Sequence, residues 1–128
     1  MKPLTMEWVE KAEGDLAMVQ RELRARKSPN YDGACFHAQQ CAEKYLKARL
    51  QEASIPFEKT HNLSALLKEA LAVEPLWSSL STNLAFLNQF AVRFRYPGEW
   101  ATKEDAKEAL KNCKLVRSDV RKSLGLPE

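Results

Sequence analysis

The chain has only four glycines, and no two of them lie close together. That argues against a glycine-rich loop of the kind that cradles phosphates. The only histidines, His37 and His61, belong to no His-Glu-x-x-His or carboxylate–histidine helix motif, so no metal site is legible. Cys35, Cys41 and Cys113 are odd in number and lack ligand spacing, which argues against a disulfide framework and a structural zinc. They read as small buried hydrophobes. No apolar run approaches the roughly 18 residues of a membrane span. The N-terminal "MKPLTMEWVEKAEGDLA" carries Glu7, Glu10, Glu13 and Asp15 where a signal peptide needs an apolar stretch. A cytoplasmic location is therefore expected. The formal charge of +3 is too small to imply nucleic acid by itself.

What is present points to one globular domain over residues 1–128. Hydrophobic residues make up 45% and charged residues 29%, enough of the first to build a core and of the second to solvate a surface. The apolar spacing is helical throughout, and no strand pattern emerges. Val9, Ala12, Leu16, Val19 and Leu23 repeat at 3,4,3,4 spacing, which predicts a first helix from about Thr5 to Ala25. Pro29 breaks it. Asn30 or Asp32 can cap a second helix running to about Ser54, and Asn62 can cap a short third one with Leu63, Leu66, Leu67 and Leu71. Pro75 restarts the chain. Trp77, Leu80, Leu84, Leu87, Ala91 and Phe94 predict a fourth helix ending near Arg93, where "RYPGEWA" stops it. Thr102 and Asp105 resemble a capping box for a fifth helix that buries Ala106, Ala109, Cys113, Val116 and Val120 and stops at Gly125. The expected architecture is an all-α up-and-down bundle centred on Leu16, Ala38, Tyr45, Leu84 and Val116.

Four features carry possible chemistry. On the second helix, small residues Ala34, Ala38, Cys41 and Ala48 let a neighbour approach, while His37, Gln40, Lys44 and Lys47 form an adjoining polar stripe. The stripe reads either as a solvated face with Glu43–Lys47 as an i,i+4 pair, or as one wall of a cleft. "KTHN" places Lys59 and His61 at a helix N-terminus, as simple capping or as an anion site. "RFRYPGEW" sets Arg93, Arg95 and Tyr96 on a Pro-Gly turn, as a salt-bridged scaffold or as phosphate and base contacts. Lys103, Lys107, Lys111, Lys114, Arg117 and Arg121 share one face of the last helix, either merely solvated or open to RNA or an acidic partner.

The stretches "YDGACFHAQQCAEKYLKARL", "IPFEKTHNLSALL" and "VRFRYPGEW", in that order before a final helix, resemble the HEPN (higher eukaryotes and prokaryotes nucleotide-binding) family. The resemblance implies four long antiparallel helices plus a short one, usually dimeric, with polar residues lining a cleft near the interface. It also implies a minimal nucleotidyltransferase partner, often in a toxin–antitoxin arrangement. Many members are metal-independent ribonucleases with an Arg-x4-6-His motif late in the bundle. This sequence departs from that pattern, because neither Arg93 nor Arg95 is followed by a histidine at that spacing.

The expectation is a non-catalytic subunit that binds a nucleotide or RNA through Gln40, Lys44, Lys47, Lys59, His61, Arg93, Arg95 and Tyr96. No catalytic residue, metal or cofactor is assigned. The alternatives are a ribonuclease with a relocated site built on Arg95, Tyr96 and His61, and a purely structural oligomerisation module. The aromatic excess at Phe86, Phe90 and Phe94 further predicts a homodimer that buries this surface with the loop after Arg95.

Overall fold

The computed structural model describes all 128 residues and contains helices and turns only. The long helices are α1 (Pro3–Arg24), α2 (Tyr31–Glu52) and α5 (Lys103–Leu124); α3 (Leu63–Ala70) and α4 (Ser81–Asn88) are short. Inter-helix bonds give the topology. Thr5 meets Glu52 and Asp15 meets His37, so α1 and α2 run antiparallel. Asp32 meets Ala101 and Tyr45 meets Arg121, so α5 lies parallel to α2. Leu63 meets Asn88 while Glu74 meets Arg49, so the run through α4 travels back against α2. The bundle is up-and-down as expected, with α3 inserted as the loop 53–62 returns alongside α2.

The expected core is the observed one. Leu16, Ala38, Tyr45, Leu84 and Val116 are all buried, and Ala34, Ala38, Cys41, Ala42 and Ala48 of α2 are fully so. Small side chains let α1 and α5 approach α2 closely on either side. Asn30, not Asp32, caps α2: its Oδ1 accepts from Gly33 N at 2.8 Å. A Cβ on residue 33 would lie 2.8 Å from the Asn30 amide, so glycine is what allows the cap to close. The Thr102–Asp105 capping box is present, and Gly125 (φ 72°) ends α5 in the left-handed conformation.

Two boundaries differ from the sequence expectation. α1 begins earlier, with Pro3 in the first turn, where its missing N–H costs nothing. The fourth helical run spans 75–91 but has α geometry only over Ser81–Asn88, with 3-10 turns at Pro75–Leu80 and Gln89–Ala91. A 3-10 turn eclipses residues three apart, and it sends both Trp77 and Leu80 into the core. The run stops at Ala91, short of Arg93. Phe94 then takes a positive φ of 69°, a strained conformation for a bulky residue. Its ring stacks on buried Phe90 (centroids 6.0 Å), and Phe90 meets Phe86 edge-on at 5.3 Å. Phe90 is buried and Phe86 and Phe94 are half-buried, so only part of the aromatic surface behind the dimer expectation faces outward. The exposed apolar residues at this end are Val92, Tyr96 and Trp100.

All three cysteines are buried. Burial pushes the Cys35 thiol up to about 12. The Cys113 thiol beside it, together with burial, holds Cys41 well above the ordinary range. The native protein is expected to react with a thiol reagent at neutral pH only as fast as it unfolds. Rapid labelling of folded protein, with the melting curve unchanged, would contradict this.

Candidate functional site

The polar stripe of α2 is neither solvated nor a free cleft wall. It is divided between two buried carboxylates. Asp15 of α1 sits at 6% exposure among Ala12, Leu16 and Val19, and takes the His37 Nδ1 at 2.7 Å and the Lys44 ammonium at 2.6 Å. Glu43, at 3% exposure, takes the Lys47 ammonium at 3.0 Å and the His61 Nδ1 at 2.9 Å. Gln39 and Gln40 complete the second cluster, with both amides 3.3 Å from Glu43 and Gln39 also donating to the His61 carbonyl. Lys47 is itself buried, its ammonium 5.5 Å from the Trp8 ring centre and 6.0 Å from that of Phe57. A cation so enclosed is held by its counter-ion and the ring faces.

A third cluster joins α1, α2 and α5. The Glu13 carboxylate accepts two bonds from Arg117 (2.8 and 3.0 Å) and one from the Tyr45 hydroxyl (2.6 Å). Arg121 also donates to that hydroxyl at 3.0 Å. Burial raises the Glu13 carboxyl, but the bonds from Arg117 and Tyr45 and the charges of Arg117 and Arg121 outweigh it. The net effect holds Glu13 below the usual carboxylate range. Burial and the Glu13 contact push the Tyr45 phenol well up.

The polar residues left open to solvent gather elsewhere. A cleft of about 590 Å³ lies between the N-terminus of α2 and the turn after Ala91, lined by Asn30, Asp32, Phe36, Arg93, Arg95 and Trp100 among others. Arg93 is partly engaged, donating to Gln89 at 2.7 Å and lying 3.5 Å from Glu99. Arg95 has no carboxylate partner, only a long 3.4 Å bond to the Ala91 carbonyl. Asp32 accepts from the Ala101 N–H, which ties the far end of the turn to α2. The cleft thus combines a free guanidinium, a carboxylate acceptor and exposed aromatic surface.

The structure brings together some of the sequence-derived candidates and separates others. Gln40, Lys47 and His61 share the Glu43 cluster, and Lys44 belongs to the Asp15 cluster. Lys59 is exposed in the loop before α3. Arg93 and Arg95 line the cleft, whereas Tyr96 is 76% exposed and outside its lining. Lys44 and Lys47 stand about 12–17 Å along α2 from Phe36 at the cleft. The expected ligand contacts Lys44 and Lys47 therefore do not share the cleft with Arg95. The cleft also takes in Trp100, Phe36 and Asp32, which are not among the ligand contacts expected from the sequence. Trp100 was legible as an exposed aromatic beside a Pro-Gly turn, but nothing local placed α2's first turn opposite it.

Comparison with known proteins agrees with the fold. The sequence model of the HEPN domain matches residues 5–123. The chain is 31% identical to "Putative toxin MJ1304" of Methanocaldococcus jannaschii, across 89% of this chain and 84% of that protein. Among solved structures it is similar to TT1696 from Thermus thermophilus, with TM-score 0.80, 25% identity, and 92% and 96% of the two chains covered. It is also similar to ST0689, described as an archaeal HEPN homologue, with TM-score 0.76, 27% identity, and 96% and 98% covered. With the bundle topology and a match over nearly its whole length, this chain belongs to the HEPN family.

Proposed function

We propose that this HEPN protein is a non-catalytic subunit that binds a nucleotide or an RNA end, working with a minimal nucleotidyltransferase in a toxin–antitoxin-like pair. The observation that carries the ligand reading is the cleft: Arg95 is exposed, lacks a carboxylate partner and stands with Asp32 and Trp100. A guanidinium meets a phosphate through paired N–H bonds, an aromatic ring stacks a base, and a carboxylate accepts from a sugar hydroxyl or base amine. The toxin-like relative supports the pairing. Val92 and Tyr96, exposed next to the cleft, support a homodimer that shields them.

The ribonuclease alternative needs His61 and Arg95 at one phosphate. His61 is bonded to Glu43, two helical turns from Phe36 on α2, and is not among the residues that line the cleft. Purified protein is therefore expected to cut single-stranded RNA no faster than its Arg95→Ala variant. Metal-free cleavage by wild type alone would reverse that assignment.

Calorimetric titration tests the cleft directly. Arg95→Ala is expected to weaken mono- and trinucleotide binding by on the order of 1.5–3 kcal/mol, roughly ten- to a hundredfold, with little change in melting temperature. Trp100→Ala should weaken it by about 1–3 kcal/mol through lost stacking. If wild type binds no nucleotide and the variants only melt earlier, the cleft is scaffold.

A further inference from the structure

α5 carries more positive charge than the fold uses. Its two arginines on the basic face turn inward, Arg117 to Glu13 and Arg121 to Tyr45. Lys103, Lys107, Lys111 and Lys114 do not. All four are exposed, and none has a carboxylate within ion-pair distance. Glu104 and Glu108 lie three residues before Lys107 and Lys111 on the same helix, yet neither pairs with them. Lys103, Lys107 and Lys111 follow one another at i,i+4 and Lys114 follows at i+3, so the ammonium groups form one outward row. Like charges at this spacing destabilise a helix. No ion pair within the fold uses the row.

Along the chain the row begins just past the cleft lining. Lys103 is three residues after Trp100, which lines the cleft with 81% of its surface exposed. From Lys103 to Lys114 the row extends about 16 Å along α5. We infer that this row is the path of a single-stranded nucleic acid backbone leaving the cleft, with the end nucleotide at Arg95 and Trp100 and the following phosphates along the lysines. The inference rests on the cleft being a nucleotide site. Lysines are flexible point charges that neutralise phosphates without reading bases. α5 contains no aromatic residue, so stacking is confined to the cleft and the row contributes charge alone. Leu110 and Leu115 line a shallow depression together with Lys107, Lys111 and Lys114.

Fluorescence anisotropy with labelled oligouridylate and oligothymidylate of about ten nucleotides, read across a salt series, tests this. The comparison is wild type against the fourfold variant Lys103→Gln, Lys107→Gln, Lys111→Gln, Lys114→Gln. Each lost phosphate contact should reduce the log–log salt slope by about 0.7, so the variant's slope is shallower by about 3. Between about 50 and 200 mM salt, wild-type binding then weakens by about fiftyfold more than the variant's. Mononucleotide affinity and melting temperature should stay at wild-type values or, for melting, rise.

Equal affinity for the two oligonucleotides assigns the contact to phosphates alone; tighter oligouridylate adds the 2′-hydroxyl. Both uphold the row. An unchanged slope in the fourfold variant, or no oligonucleotide binding by wild type, overturns it. So does displacement of the oligonucleotide by polyglutamate of matched charge at equal concentration, which would make the row a surface for an acidic protein. A lysine-dependent slope without mononucleotide binding would leave the lysines as phosphate contacts but overturn both the cleft reading and the path that starts from it.

Discussion

Glu43→Ala is expected to lower stability by about 3–5 kcal/mol, a drop in melting temperature of about 10–20 °C for a domain of this size. The cause is what the substitution leaves behind. Lys47 loses its only counter-ion while 8% exposed, and the amides of Gln39 and Gln40 and the His61 ring lose an acceptor. An uncompensated buried ammonium is far costlier than a lost surface pair. Two controls separate this from general damage. His61→Ala should cost little, because that ring is 71% exposed and its loss leaves Lys47 paired. The double variant Glu43→Leu, Lys47→Met removes both charges and should recover most of the loss, since an apolar pair of similar volume suits a site walled by Trp8 and Phe57. Urea melts giving Glu43→Ala within about 1 kcal/mol of wild type would show that the pair is solvated and the α2 stripe open after all.

Glu13→Ala is expected to cost about 2–3 kcal/mol, less than Glu43 because the carboxylate is about a third exposed and part of its energy is screened by water. It is the one acceptor that holds Arg117 and Tyr45 together across three helices. Its pH signature is distinctive. The folded carboxyl lies below its ordinary value of 4.5, so its contribution is fully present above that pH. The contribution is lost as pH falls through the folded value. In Glu13→Gln the acid limb of the stability profile should be flatter below about pH 4.5, while the neutral region is uniformly lower. Glu74, lowered despite its burial by its bonds to Ser123 and Arg49, leaves part of the limb in place. A variant whose acid limb matches wild type, offset by a constant, would mean that Glu13 titrates as a free surface carboxyl.

The helices, their caps and the core were legible from local pattern alone. Spacing of Val9, Ala12, Leu16 and Val19 names the buried face of α1 whatever packs on it. The Asn62 and Thr102 caps depend on residues two or three positions away. Such interactions are decided within one or two turns, so a linear sequence contains them. Family membership was legible in the same way, from three short stretches in a fixed order that fall within the matched residues 5–123.

The i,i+4 pairing of Lys47 with Glu43 was legible in the sequence, but its burial and the fate of most other charges were decided by tertiary structure. Lys44, Lys47 and Lys107 look alike in sequence, as cations on amphipathic helices. The first two are consumed by Asp15 and Glu43, while the third is exposed and pairs with no carboxylate. The Asp15–Lys44 pair links residues 29 apart, and Glu13–Arg117 links residues 104 apart. Both depend on how far one helix slides along another, which no window of sequence records. One signal was available: Asp15 interrupts an otherwise apolar stripe, and an acid there needs a cation from elsewhere. The cleft has the same origin. Arg95 and Trp100 sit on one turn, but Asp32 and Phe36 reach them only because α2 and α5 run parallel and Ala101 is tied to Asp32. Side-chain type and helical period set what each element can bury, and the register between helices sets which polar groups are left to bind something else.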